Sequence, residues 1–246
     1  MIELKSYGLH THQGPHLNLN EDLAEVDLVN NLYFLIDGFG GSNIGDRAAQ
    51  RIRDSLKQAY TKIAKDPDST LPFFYSHKYL IEGNALINAF HVAHRNVSRD
   101  NENKSMNNRG GGSVISAALS ENMLTLASTG NCCAYLYRKG TLSLEIQPDS
   151  LGSVSRDRFS SFLHTAPMSG IGLFEDLHYQ VRELKIAEGD LVLFFTDGIY
   201  SRVESDEIKY IIENNRESEV DIINELAKLS NERGNLDNQS GLVLHF

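Results

Sequence analysis

The stretch Tyr33-Phe34-Leu35-Ile36-Asp37-Gly38-Phe39-Gly40-Gly41 is an apolar run that ends in a carboxylate set among three glycines. Consecutive large apolar residues before a turn signal predict a buried strand. A buried strand that ends on an aspartate needs a partner for the charge, and we interpret that partner as a metal ion. The glycines would free the main chain to offer a carbonyl oxygen to the same ion. The Asp-Gly pair alone is equally compatible with an ordinary turn between two strands.

Length, composition and net charge limit the classes of protein to which this chain can belong. The chain has 246 residues, 41% hydrophobic and 23% charged, which is typical of a globular protein and fits a single domain over residues 1–246. With 33 acidic and 23 basic residues the formal net charge is -10, which disfavours nucleic acid as a partner and leaves carboxylates for cations. The N-terminal residues lack the apolar core of a signal peptide, and no window approaches 18 apolar residues. We therefore expect a cytoplasmic protein without membrane contact.

The first half of the chain predicts strands, two helices and more strands. A hairpin formed by residues 23–29 and the strand that ends at Asp37 would place Asp22 and Asp37 side by side. Apolar residues at helical spacing predict helices over about 44–59 and 76–98. Residues 100–112 are polar and rich in glycine, so they predict a loop. Four short strands between residues 114 and 146 predict an antiparallel meander.

The second half repeats the opening pattern. Residues 148–172 lose periodicity and fill with Ser, Gly and Arg, which predicts a surface insertion. The apolar run 191–195 ends on Thr196-Asp197-Gly198, as the earlier run ends on Asp37. Helices are predicted over 205–214 and 219–232, and Asp237-Asn238 precedes a last strand.

Asp22, Asp37, Asp197 and Asp237 thus all lie at the ends of predicted strands, although they come from opposite ends of the chain. Several carboxylates without His or Cys favour Mg²⁺ or Mn²⁺ over Zn²⁺. Two such ions can activate a water and hold a phosphoryl group, so phosphate hydrolysis is the chemistry that this pattern indicates.

The motifs resemble those of the metal-dependent serine/threonine protein phosphatases of the PP2C (PPM) type, in that family's order over nearly the whole chain. The segments that carry the resemblance are Asn20-Glu21-Asp22, Asp37-Gly38-Phe39-Gly40-Gly41 with Gly45-Asp46-Arg47-Ala48-Ala49, Gly111-Gly112-Ser113, Gly130-Asn131-Cys132-Cys133-Ala134-Tyr135-Leu136, Thr196-Asp197-Gly198 and Asp237-Asn238.

The resemblance implies an α+β fold, a four-layer αββα sandwich of two antiparallel β-sheets flanked by helix pairs. It also implies a water that bridges two Mn²⁺ or Mg²⁺ ions. Asp37 would bridge the ions, Asp197 and Asp237 would complete the first, and the Gly38 carbonyl would help to hold the second. Glu21 and Asp22 would bind a metal or its waters, and Asn238 would orient Asp237. Residues 148–172 would correspond to the family's flap.

Two positions depart from the family pattern. The family usually has an arginine that holds the substrate phosphate five residues before the first aspartate, and here that position is Leu17. His16 beside it, or Arg156 or Arg158 of the flap, could take over the phosphate. Asn131 replaces an aspartate that supports a third, weaker metal, and a neutral amide is a poorer ligand for a hard cation.

Three functions therefore stay open. The first is an active phosphoprotein phosphatase that acts on a phosphorylated protein, with a cognate serine/threonine kinase as a possible partner and a monomeric state. The second is a catalytically weak regulatory relative, because of Leu17 and Asn131. The third is a phosphohydrolase that acts on a small molecule.

Overall fold

The computed structural model describes residues 2–40, 44–65, 70–154 and 165–246. Gly41 of the opening motif and both flap arginines, Arg156 and Arg158, lie outside these ranges. The strands are β1 Ser6–His12, β2 Asp22–Asp27, β3 Leu32–Gly40, β4 Gly110–Ser120, β5 Met123–Thr129, β6 Cys133–Arg138, β7 Thr141–Ile146, β8 Gln180–Lys185, β9 Leu191–Phe195 and β10 Gln239–His245. The helices are α1 Gly45–Lys65, α2 Ile81–Asn101, α3 Leu151–Val154, α4 Asp197–Tyr200, α5 Ser205–Asn214 and α6 Glu219–Glu232, with a 3-10 turn at Met106–Asn108.

Two antiparallel sheets form the centre of the molecule. Sheet I has the strand order β1-β10-β9-β6-β7, and sheet II has the order β2-β3-β4-β5-β8. Three buried apolar clusters separate four layers. One lies between sheet II and the pair α1 and α2, one lies between the sheets, and one lies between sheet I and the pair α5 and α6. The predicted four-layer αββα sandwich is confirmed.

The distribution of side chains follows from the pleat of the strands. In β3, Phe34 and Ile36 face the helices, whereas Tyr33 and Leu35 face the other sheet. A strand that is buried on both faces reads as a continuous apolar run, which is why residues 32–36 show no polar alternation. Cys132 and Cys133 are free and buried, and they pack into different clusters.

The predicted meander of residues 114–146 is wrong. Strands β4 and β5 belong to sheet II, but the chain then crosses to sheet I, where β6 pairs with β7 and β9. Gly130 makes this crossover with φ +91°, a conformation that favours glycine. On the side of β5 where a meander would have β6, the paired strand is β8. Short strands with similar turns look alike in sequence whether or not they share a sheet.

Two further predictions need correction near the site. Strand β3 does not end at Asp37 but continues to Gly40, because Gly38, Phe39 and Gly40 pair with the glycines at 110–112. Those glycines therefore belong to β4 and not to a loop. Asp197 directly follows β9, as predicted for a residue at a strand end, and it begins the short helix α4.

The flap-like insertion is partly described. A bridge between Ser150 and Pro167 joins its two described ends to each other, and a bridge between Gly112 and Ile171 ties its second end to β4. None of the helices in the described ranges is long and apolar enough to cross a membrane.

Candidate metal centre

The β2–β3 hairpin brings the first two carboxylates together. Asp22 and Asp37 are direct partners across the two antiparallel strands. Asp22 is buried, and its Oδ2 accepts a hydrogen bond of 3.1 Å from the Thr196 hydroxyl of sheet I. Its Oδ1 is also buried but has no hydrogen-bond partner. Such an orphaned carboxylate oxygen is available to a cation.

Asp197 enters from sheet I, where β9 gives way to α4. The side-chain amide of Asn131 donates a hydrogen bond of 3.1 Å to Asp197 Oδ2 and another of 2.7 Å to the carbonyl of Thr165. A Cβ added at Gly198 would collide with the Asn238 carbonyl oxygen, so the chain after Asp197 touches the segment that carries Asp237. Asn131 thus joins an aspartate of the site to the end of the flap.

Asn238 links the two ends of the chain. Its Oδ1 accepts a hydrogen bond of 2.8 Å from the Glu21 backbone N–H, and its amide group donates to the carbonyls of Gln13 and Leu19. Its own backbone N–H donates to Asp237 Oδ1 at 2.8 Å. Asn238 therefore fixes the loop that carries Glu21 through its side chain and the carboxylate of Asp237 through its backbone N–H.

Gly38 lies where three segments meet. Its N–H donates to the Glu21 carbonyl at 3.2 Å, and a Cβ at this position would stand 2.5 Å from the carbonyl oxygens of Glu21 and Gly45. The Glu21 side chain in turn accepts a hydrogen bond from the Gly45 N–H. Only glycine fits this close approach, whereas a metal ligand role for the Gly38 carbonyl stays a prediction.

Burial of these carboxylates raises their pKa values, and for most of them the neighbouring carboxylates raise the pKa further. Burial raises the pKa of Asp22 and of Asp37 well above the usual value, and Asp197 and Asp237 add repulsion to both. Burial and the neighbouring Asp237 raise the pKa of Asp197 to about 7. Burial also raises the pKa of Glu21 and of Asp237. The site binds protons strongly because negative charge is gathered there without compensation.

The carboxylate oxygens of these residues are ligands of the kind that hard cations such as Mg²⁺ and Mn²⁺ prefer. Within the described ranges, none of these five carboxylates forms an ion pair with Lys, Arg or His. In four of the five, one carboxylate oxygen accepts a hydrogen bond from the protein. These four are Glu21, Asp22, Asp197 and Asp237. No three His, Cys, Asp or Glu side chains of the described residues converge on one point at ligand distance. A cation would have to draw the carboxylates closer together.

A cavity of about 210 Å³ opens beside this cluster. The described residues that line it are Leu17, Thr165, Asp197, Ser201, Arg202, Asn235, Leu236 and Asp237. Leu17, which replaces the family's arginine, is 40% exposed on its wall. His16 is exposed and is not among the lining residues.

The sequence did not reveal several contributors to the site. The hydroxyls of Thr196 and Tyr200 contact Asp22 and the Asn131 carbonyl, respectively. Thr196 stands directly before Asp197 and could have been found from that position, since a residue that flanks a ligand at a strand end faces the same site. Tyr200 and Arg202 gave no such signal.

Sequence and structure comparisons agree on the relatives of this chain. A family model described as stage II sporulation protein E (SpoIIE) matches residues 113–235, which is half of the chain. A search of curated proteins gave no match.

Among solved structures, PppA, described as a key regulatory component of T6SS in Pseudomonas aeruginosa, has 20% identity and a TM-score of 0.81 over 98% of each chain. The Mycobacterium tuberculosis serine/threonine phosphatase PstP/Ppp has 18% identity and a TM-score of 0.79 over 98% of each chain. A structure of the catalytic domain of PstP contains two manganese ions, and it has 18% identity and a TM-score of 0.76 over 98% of this chain and 97% of that one. At this identity the likeness establishes the fold.

Proposed function

The chain belongs to the stage II sporulation protein E family and has the fold of PP2C-type phosphatases, and from this premise we propose that it is a phosphoprotein phosphatase. It would hydrolyse phosphate monoesters on serine or threonine with the help of two Mn²⁺ or Mg²⁺ ions. The PstP structure with two manganese ions supports this choice of metal.

One observation carries the proposal. Glu21, Asp22 and Asp37 come from the first sixth of the chain and Asp197 and Asp237 from the last quarter, yet folding brings them into mutual electrostatic contact. Their pKa values are raised first by burial and then by mutual repulsion, so folding works against both effects, and a purely structural site would gain nothing from this cost. Divalent cations would offset the cost.

Each residue has a proposed role toward the ions. Asp37 would contact both, Asp197 and Asp237 would hold the first, and the Gly38 carbonyl would hold the second with Glu21 and Asp22. When bound, the ions would supply Lewis acids for the phosphoryl group and a nucleophile at neutral pH.

The protein's own contribution is orientation. Asn238 holds Asp237 and the Glu21 loop, Asn131 holds Asp197, and the Thr196 hydroxyl holds Asp22. Each of these three carboxylates thus has one oxygen fixed by a hydrogen bond from the protein. No side chain is needed as a covalent nucleophile, so we expect no phosphorylated enzyme to accumulate.

The proposed substrate is a phosphorylated protein. A cognate serine/threonine kinase as partner, a monomeric state and a cytoplasmic location remain predictions. The weak regulatory relative stays a second candidate because Leu17 removes a phosphate ligand and Asn131 removes a metal ligand from the family pattern.

A phosphatase assay decides between the candidates. Hydrolysis of a phosphoserine peptide, a nucleoside monophosphate and a small aryl phosphate would be measured with Mn²⁺ and with EDTA, with Asp37→Asn as the inactive control. Mn²⁺-dependent hydrolysis that favours the peptide supports the proposal. A preference for the nucleotide would indicate a small-molecule enzyme, and no turnover on any substrate would indicate the regulatory relative.

A further inference from the structure

The cavity beside the carboxylate cluster has a single cation among its described lining residues. Leu17 and Arg202 both line it, together with Asp197 and Asp237. Pockets for drug-sized ligands have volumes of about 300–1,000 Å³. The volume here is about 210 Å³, which suits a small head group such as phosphate, with the rest of the substrate outside.

The Arg202 side chain has a buried nitrogen without a hydrogen-bond partner. This nitrogen is the Nε of the guanidinium. The side chain also takes part in none of the ion pairs of the described residues, although two aspartates line the same cavity. A shielded, unpaired guanidinium N–H is costly unless a ligand can take it up.

The backbone of Arg202 is fixed independently of its side chain. The Arg202 N–H donates to the Ile199 carbonyl at 3.3 Å, and its carbonyl accepts a hydrogen bond of 2.9 Å from the Arg233 guanidinium. Arg233 in turn binds the Glu207 carboxylate. Replacement of the Arg202 side chain should therefore leave this turn intact.

We propose that Arg202 binds the substrate phosphate and replaces the arginine that Leu17 lacks. A guanidinium offers a phosphate two parallel, charge-assisted hydrogen bonds, which leucine cannot provide. Since both residues line one cavity, either position could present a guanidinium to the same anion. This inference rests on the proposed phosphatase function for its substrate class.

The alternative role for Arg202 is that of a counter-ion for Asp197 or Asp237. A counter-ion would stand within ion-pair distance of those carboxylates, and Arg202 does not. The two roles also predict different effects of an Arg202 substitution on the stabilisation of the protein by Mn²⁺. Removal of a counter-ion would change how strongly Mn²⁺ stabilises the protein, whereas removal of a phosphate ligand would not.

The test compares the wild type, Arg202→Gln, Arg202→Lys, Leu17→Arg and the double variant Leu17→Arg/Arg202→Gln. Arg182→Gln is the matched control, because Arg182 is an exposed arginine on β8 that pairs with Glu145 outside the cavity. For each Mn²⁺-loaded protein, kcat and KM for a small aryl phosphate would be measured, together with the shift in melting temperature caused by inorganic phosphate.

We expect Arg202→Gln to raise KM about 10- to 100-fold with a smaller loss of kcat, and to abolish the phosphate-induced shift. Arg202→Lys should restore part of the loss, and Leu17→Arg should rescue Arg202→Gln. A merely structural role for Arg202 would not permit rescue by an arginine at another position in the cavity lining.

Three results would overturn the inference: an unchanged KM in Arg202→Gln, an equal rise in the Arg182→Gln control, or a change in stabilisation by Mn²⁺ alone. If the wild type shows no turnover, the proposed function fails, but the phosphate shift still tests Arg202. A shift that is present in the wild type and Arg182→Gln and absent in Arg202→Gln would support the anion site by itself.

Discussion

Asp37 stands opposite Asp22 in β2 and is influenced by more of the site's carboxylates than any other group, since Asp197, Asp22, Asp237 and Glu21 all raise its pKa after burial does. Asp37→Asn removes one charge with almost no change in shape. We expect the metal-free variant to be at least as stable as the wild type, but to lose most of the gain in melting temperature with Mn²⁺ and orders of magnitude in kcat. Thermal melts and turnover with and without Mn²⁺ check this.

Asp54→Asn is the matched control for Asp37→Asn, because Asp54 is an exposed carboxylate on α1. It should leave both the Mn²⁺ response and turnover unchanged. An Asp37→Asn protein that still gains full stability from Mn²⁺ would remove Asp37 from the metal centre.

Asn131 is the residue at which a neutral amide replaces a family carboxylate, and it is 2% exposed. Asn131→Asp would lose the donor to Asp197 and to the Thr165 carbonyl and would add a buried charge. In EDTA we expect a loss of about 2–4 kcal/mol in the free energy of unfolding, or about 5–15 °C in melting temperature. Millimolar Mn²⁺ should recover much of this loss, because the new carboxylate is a cation ligand.

The exposed Asn224→Asp on α6 should show neither effect. If Mn²⁺ did not reduce the difference between Asn131→Asp and the wild type, position 131 would lie out of reach of the ions.

Asn131 and Asp197 could be paired as site residues from sequence motifs, whereas Arg202 could not. A guanidinium gains its role from what surrounds it in three dimensions, and the residues around Arg202 give no periodic signal.

At the scale of elements, α2 anchors the chain that follows the flap. The Nδ1 of His94 accepts a hydrogen bond of 3.2 Å from the Gly172 N–H, and its Nε2 lies 3.2 Å from the Glu175 carbonyl. His94→Leu would leave the Gly172 N–H without its acceptor, so we expect a loss of about 1–3 kcal/mol and a higher KM as the flap shifts. Denaturant unfolding and steady-state kinetics measure the two effects.

His91→Leu offers a close control for His94→Leu, because His91 is on the same helix and stacks on Phe73 instead of holding the flap. Its effect should be confined to stability. An equal change of KM in both variants would mean that α2 affects the site only through the overall stability of the protein and not through the His94 contact.

Helices were the elements best predicted from sequence. The predicted bounds of α5 and α6 agree with the structure, because an amphipathic helix encodes its own start, face and end locally. The assignment of strands to sheets could not be predicted in the same way. Strands β5 and β6 are neighbours in the chain yet lie in different sheets, and β5 pairs not only with β4 but also with β8, more than fifty residues later. Strand pairing depends on such distant contacts, which no local pattern reports.

At the scale of the whole molecule, the raised carboxyl pKa values predict that stability depends on pH and, if the proposed ions bind, on metal. A carboxyl whose pKa is higher in the folded than in the unfolded state stabilises the protein below the unfolded pKa, near 3.8, and this contribution is lost as pH rises through the folded pKa. For Asp197 that folded pKa is about 7. In EDTA we therefore expect the melting temperature to fall between pH 5 and pH 8, and Mn²⁺ should remove most of the fall. Melting curves across this range measure it.

Asp197→Asn should flatten the pH dependence in EDTA, since it removes one of the groups that titrate. Parallel curves with EDTA and Mn²⁺ would mean that the cations do not bind where the protons do. Repulsion within the net charge of -10 would change the melting temperature in the same direction, so the measurement should be repeated in 0.5 M KCl, which screens the long-range part of that repulsion.

Strand β10 lies between β1 and β9, and Asp237 stands two residues before it. During folding, β1 can join sheet I only when β10 is in place, and this pairing also brings the Glu21 loop onto Asn238. Long-range pairings of this kind form late. A partly folded chain would therefore possess the Asp22–Asp37 hairpin without the carboxylates opposite it. Completion of the fold and assembly of the proposed metal centre would then be one event, and a partly folded chain would lack the complete set of carboxylates.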